Sequence, residues 1–265
     1  MRRKAAGFFA FLVLLALPAL SMGQNPAPPA AGADAQRGGG RGGPALPANQ
    51  PAPRDDNRHK GFVEIAQRGN IDLLFVGDSI TDWWANPLRD RPATGLPVWN
   101  ERILPLKPAN FGIAGDTTQG VLWRMQNGEL EGFKAKLIVH MLGTNNIGNP
   151  ANPRNPVDEI VDGNRLIIEE YKKRQPQAKV LLLGVFPRGA QADNPFRPII
   201  KEMNGKLAKL ADNKQVFFMD IGDKFLAPDG TLTAEVMPDG LHPSLKGYEI
   251  WAGAIMDTVK TLLKF

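Results

Sequence analysis

From residue 58 onward the chain alternates between two hydrophobic patterns. Apolar runs of strand length occur at Ile71–Val76, Ala109–Ile113, Leu137–Leu142, Lys179–Val185 and Val216–Ile221. Several are near-continuous rather than alternating, as expected of strands covered on both faces. Between these runs the spacing lengthens. Val157–Lys173 carries Val157, Ile160, Val161, Asn164, Ile167, Ile168 and Tyr171 at intervals of three and four, which predicts a helix with one buried face. Pro198–Leu210 and Ser244–Leu263 repeat that pattern. Strands alternating with helices predict an α/β domain, a three-layer α/β/α sandwich around a five-stranded parallel sheet. No internal repeat is present.

The first 57 residues read differently. Arg2, Arg3 and Lys4 precede an apolar run from Ala5 to Leu20, and small residues at Ser21 and Gly23 suit a signal peptidase. Residues 1–23 are therefore expected to be a signal peptide cut after Gly23, which implies a secreted or periplasmic protein. An uncleaved anchor is the alternative, although the run is shorter than the roughly 20 residues that span a bilayer comfortably. Gln24–Asp56 holds 7 Pro and 6 Gly in 33 residues and no aromatic residue. Such a segment buries too little apolar surface to offset its ordering entropy, so residues 24–57 read as a disordered tether. The folded domain is expected to occupy residues 58–265.

Charge and composition narrow the function. The net charge of +5 falls to +2 without the three basic residues of the signal. No Lys/Arg run is interleaved with aromatic residues, so nucleic acid is not an expected partner. The absence of cysteine excludes disulfides, thiolate nucleophiles and Cys-based metal sites. The three histidines show no metal-ligand spacing, and no metal site is expected.

Four polar blocks follow the apolar runs, where open parallel sheets bind ligands. Gly77-Asp78-Ser79-Ile80 offers a serine where a helix begins; alone it also reads as an ordinary helix cap. Gly115, within Gly112–Thr118, lets a backbone N–H approach a substrate closely. Gly143-Thr144-Asn145-Asn146 offers an amide that can donate to an oxyanion; a polar turn is the plain alternative. Asp239-Gly240-Leu241-His242 puts a carboxylate three residues before a loop histidine, a spacing that can orient the imidazole. Of the other histidines, His59 reads as solvated beside the tether and His140 as a satisfied core residue. Trp83 and Trp84 read equally as pocket walls or as core.

In this order the four blocks resemble the SGNH (GDSL-type) hydrolase family. Asn110–Ile113, Gly115–Thr118, Val121–Arg124, Asn127–Leu130, Gln175–Lys179, Pro187-Arg188-Gly189, Asn194-Pro195 and Asp229-Gly230-Thr231 are similar to the catalytic subunits of intracellular platelet-activating factor acetylhydrolase. The likeness covers roughly residues 58–265. It implies a flavodoxin-like sheet, no cofactor, and a serine esterase with Ser79 as nucleophile, His242 as base and Asp239 as its partner. The oxyanion donors implied are the Ser79 and Gly115 N–H groups and the Asn145 side chain. Asp78, Trp83 and Asn146 are supporting candidates for substrate binding, with the Phe186–Arg197 loop as a further pocket wall. Since those subunits dimerise, a homodimer is open. The acyl group implied is small, acetyl above all, and an exported enzyme would meet acetylated carbohydrates. The alternatives are a phospholipid, lysophospholipid or platelet-activating-factor-like acetylhydrolase, and a non-catalytic carbohydrate-binding module on the same fold.

Overall fold

The computed structural model describes residues 46–89 and 93–264, so the expected signal and most of the expected tether lie outside the described residues. Five strands form one parallel sheet: β1 (Leu73–Gly77), β2 (Pro108–Asn110), β3 (Leu137–Met141), β4 (Lys179–Leu183) and β5 (Val216–Met219). Their order is β2-β1-β3-β4-β5. The chain grows outward from β1 to β2, then reverses across β1 to β3, so the carboxyl ends of β1 and β3 flank a topological switch point.

Strand periodicity explains the three layers. Alternate side chains point to opposite faces. Leu74, Val76, Ile138, Val180 and Leu182 enter one core, with Phe62 from α1 (Asn57–Arg68), Val121 and Met125 from α3 (Thr118–Gln126), Ile160 and Ile167 from α4 (Val157–Arg174), and Met203 from α5 (Phe196–Leu207). Leu73, Phe75, Leu137, Val139, Leu181 and Leu183 enter the other, with Ile80 and Trp84 from α2 (Ser79–Ala85) and Trp251, Ile255 and Val259 from α6 (Leu245–Leu262). Each such side chain contributes about 1.5–3 kcal/mol by leaving water. Both sheet faces are thus filled, which is why β1 and β3 are buried at every position.

Strand and helix ends shift by a few residues from expectation. Phe111–Ile113, predicted as strand, lies past β2: Phe111 and Ile113 still donate to Phe75 and Gly77 (2.8 and 3.2 Å), while the chain between them bends into a loop. A larger difference concerns residues 46–57. Composition assigned them to the tether, yet they lie against the fold. Ala48 is fully buried; its N–H donates to Glu159 (3.2 Å) and its carbonyl accepts from Thr118 Oγ1 (2.6 Å). The Leu46 carbonyl accepts from Gln119 and Asn155 (2.8 and 3.0 Å). Gly163 on α4 makes room, since the Ala48 carbonyl occupies the space a Cβ would need. Backbone groups satisfied by buried polar side chains hold this segment, and an apolar count cannot register them.

Candidate active site

Ser79 opens α2 directly beyond β1. Asp78 caps that helix, its Oδ1 accepting from the Ile80 N–H at 3.0 Å. The helix start aims Ser79 at the switch point, where Gly77 pairs with Met141 at the end of β3. Ser79 itself is nearly buried, at 6% exposure.

The loop before α6 brings the histidine. Ser244 caps α6, and Tyr248 on its first turn donates to the Ile80 carbonyl at 2.8 Å, tying α6 to α2. His242 Nε2 thereby lies 2.8 Å from Ser79 Oγ. Its Nδ1 lies 2.6 Å from Asp239 Oδ2, while Asp239 Oδ1 accepts the His242 and Leu241 N–H groups at 2.7 and 3.0 Å. Partial burial by itself would raise the Asp239 pKa. Hydrogen bonds from the His242 ring, its N–H and the Leu241 N–H outweigh it and hold the carboxyl at about 2. Asp239 is therefore ionised across the physiological range and fixes Nδ1 as the protonated nitrogen, leaving Nε2 to accept from Ser79.

The loops after β2 and β3 face the same point. Gly115 is exposed, with φ +76°, and an added Cβ would meet nothing within 4 Å. Positive φ favours glycine there. Asn145 Nδ2 donates to the Asp116 carbonyl at 2.9 Å, which uses one amide proton and leaves the other available. The Asn145 amide and the Gly115 loop are thus fixed to each other.

Three supporting candidates separate. Trp83 stacks on the His242 ring, with centroids 3.9 Å apart and planes 19° from parallel, while Trp84 is fully buried in the core. Asp78 is 1% exposed, so it acts as a buried cap and not as a substrate contact. Burial raises its pKa to about 6, against the opposing effects of the Ile80 N–H and of His242. Asn146 is fully buried; its Oδ1 accepts from the Thr118 N–H, and its Nδ2 donates toward Thr118, Gln119 and Asn155. It ties the β3 loop to α3 and has no access to the cleft, which corrects the expectation that it binds substrate.

Residues that the sequence reading passed over hold these loops in place. Arg124, fully buried, grips Asp116 through Nε and Nη2 (3.1 and 2.9 Å), the Phe111 carbonyl (3.1 Å), and Glu129. Burial would lower the Arg124 pKa, but Glu129 and Asp116 raise it further, so it stays charged. Glu129 also meets His59 Nδ1 at 2.9 Å. His59, read as solvated, is therefore nearly buried, at 5% exposure. Arg58 bridges Asp82 and the Gly112 carbonyl (2.5 and 3.1 Å), joining α1 to α2 and the β2 loop. The conjunction of Arg124 and Glu129 beside a buried run was the available signal. His140 meets expectation as a core residue: Tyr171 donates to its Nδ1 at 2.9 Å and its Nε2 donates to Asn164 at 2.8 Å. Burial lowers its pKa to about 4 and keeps it neutral.

No described helix is long and apolar enough to cross a membrane. Among the described residues no cluster of three or more metal-ligating side chains occurs.

Known proteins of similar sequence and fold identify the family. Residues 75–250 match the GDSL-like lipase/acylhydrolase family. The chain is 36% identical over 211 residues to the platelet-activating factor acetylhydrolase IB subunit alpha1 of Bos taurus, covering 76% of this chain and 84% of that subunit. It is 37% identical over 209 residues to the alpha2 subunit of Gallus gallus, with coverage of 76% and 84%. The fold is shared with Axe2, an acetylxylan esterase from Geobacillus stearothermophilus, at a TM-score of 0.56 and 22% identity over 74% of this chain and 95% of that one. A parallel sheet ordered about the β1/β3 switch point, bearing a serine, a histidine and their loops at its carboxyl edge, belongs with that sequence match: the chain is a member of the GDSL-like lipase/acylhydrolase family and a carboxylic ester hydrolase.

Proposed function

We propose that the protein is a serine esterase acting on short-chain esters, acetyl esters above all, through Ser79, His242 and Asp239. The observation that carries this reading is the continuous relay at the switch point, with Ser79 Oγ 2.8 Å from His242 Nε2 and His242 Nδ1 2.6 Å from Asp239. His242 takes the Ser79 proton as Oγ attacks the ester carbonyl, and Asp239 stabilises the imidazolium. The carbonyl oxygen, now negative, receives hydrogen bonds from the Ser79 N–H, the Gly115 N–H and the free Asn145 amide proton. His242 then protonates the leaving alcohol. Water, deprotonated by the same imidazole, attacks the acyl-enzyme and releases the acid.

One feature supports a small acyl group: the similar acetylhydrolase subunits are named for acetyl release. For the alcohol, the export signal read in the sequence favours an acetylated carbohydrate met outside the cytoplasm. The 36% identity to acetylhydrolase subunits favours a second reading, an acetylated glycerophospholipid. The test is hydrolysis of p-nitrophenyl acetate, butyrate and octanoate by the purified protein. Turnover falling steeply from acetate to octanoate supports the short-acyl reading; octanoate as the preferred substrate rejects it.

A further inference from the structure

Arg188 stands apart from the other cations near the relay. It lies on the loop between β4 and α5 and is partly buried. Its guanidinium lies over the Phe196 ring, 3.9 Å from the centroid. Its loop is held on both sides. Arg197 donates to the Arg188 and Gly189 carbonyls (3.0 and 2.9 Å), and the Gly189 N–H donates to the Gly240 carbonyl at 2.8 Å, against the Asp239–His242 loop. Asp239 and Asp78 are both close enough to stabilise its charge, although burial lowers its pKa. Asp239, however, gives its oxygens to its own loop and to His242. Among the described residues the Arg188 side chain has no hydrogen-bond or ion-pair partner.

A guanidinium carries five N–H donors in a rigid fork. No Arg188 nitrogen is among the buried atoms left without a partner, so the fork is open to a group from outside the fold. Stacking on Phe196 fixes the plane of the fork in advance, which suits bidentate capture of a planar or tetrahedral anion. The Gly189–Gly240 hydrogen bond keeps Arg188 beside the Asp239–His242 loop, within electrostatic reach of Asp239.

The geometry points to a specificity site: Arg188, braced by Phe196 and Arg197, binds an anionic group, carboxylate or phosphate, on the alcohol part of the acetyl ester. This inference rests on the serine esterase reading above and names the substrate class within it. A carboxylate would come from an acetylated hexuronic acid, a phosphate from an acetylated glycerophosphate. Binding energy from this remote anion would also orient the ester over Ser79.

The test compares acetate release from two matched pairs: an O-acetylated hexuronic acid glycoside against its carboxamide, and acetylated glycerol 3-phosphate against acetylated glycerol. The wild-type protein should prefer one or both charged members on the order of 10- to 100-fold in kcat/KM. The pair that shows the preference identifies the source of the anion. Arg188→Gln should remove most of that preference and Arg188→Lys should retain part of it, with KM for the charged ester in wild type rising with salt. Equal rates on charged and neutral members in wild type overturn the inference. So does an Arg188→Gln variant that loses equal activity on both members, the signature of mere electrostatic support for Asp239. Turnover with no preference leaves the esterase reading standing. No turnover of any of the four esters, with Ser79 unlabelled by a fluorophosphonate, overturns the esterase reading and this inference together.

Discussion

Asp78 should weaken the fold at neutral pH in return for its place beside the relay. Its carboxyl is 1% exposed, and burial raises its pKa from 3.8 to about 6. A carboxyl whose folded pKa exceeds its unfolded value binds protons more tightly in the native state. The native state is therefore penalised above pH 6, and the penalty fades as pH falls through the window from about 6 to about 4. At about 1.4 kcal/mol per pH unit, the interval corresponds to about 3 kcal/mol at pH 7.5. Asp78→Asn removes the charge and keeps a capping oxygen for the Ile80 N–H, since Asn caps about as well as Asp. Urea unfolding should show the variant more stable than wild type by up to about 3 kcal/mol at pH 7.5, with the two converging below pH 4. A variant less stable than wild type at pH 7.5, or a stability difference that does not change with pH, would refute the argument that burial without full compensation controls this group.

Other residues give sharper separations of fold from chemistry. Arg124→Met leaves the Asp116 and Glu129 carboxylates buried without their cation and should cost about 3–5 kcal/mol of stability in a denaturant titration; a loss under 1 kcal/mol would mean the cluster hydrates freely. Trp83→Leu removes the ring stacked on His242, and kcat should fall about 2- to 10-fold with an unchanged melting curve; unchanged kcat would reduce Trp83 to a surface contact. The neighbouring asparagines should part company. Asn145→Ala should lower kcat by about 10²–10³ with little loss of stability, whereas Asn146→Ala, which orphans the groups that Asn146 joins, should chiefly destabilise the protein. Parallel kinetics and melting of the two variants check this, and exchanged phenotypes would reverse their assignment.

The layered fold was legible because strand interiors such as Leu73–Gly77 and Leu137–Met141 are apolar throughout, and burial on both faces demands that. The contacts joining Ser79, His242 and Asp239 bring together two local patterns, a serine at a strand end and an Asp-x-x-His turn, which singly also read as a helix cap and a plain turn; their joint order carried the expectation. Long-range polar contacts were not. Nothing local marks His59 as the partner of Glu129, 70 residues away, or Ala48 as a buried residue whose carbonyl meets Thr118. The adjacent pairs Trp83/Trp84 and Asn145/Asn146 are nearly identical in sequence context. They diverge because successive residues on a short helical turn point in different directions, one to the cleft and one to the interior.

The central claim is that Ser79 Oγ, made nucleophilic by His242 and Asp239, forms the acyl-enzyme. Its most direct test is to treat the protein with a fluorophosphonate, weigh the intact chain and map the adduct by peptide mass spectrometry. One adduct on the Ser79 peptide, absent in Ser79→Ala and strongly slowed in His242→Ala, is the predicted result. Labelling that persists in folded Ser79→Ala, or that maps to another residue, would contradict it.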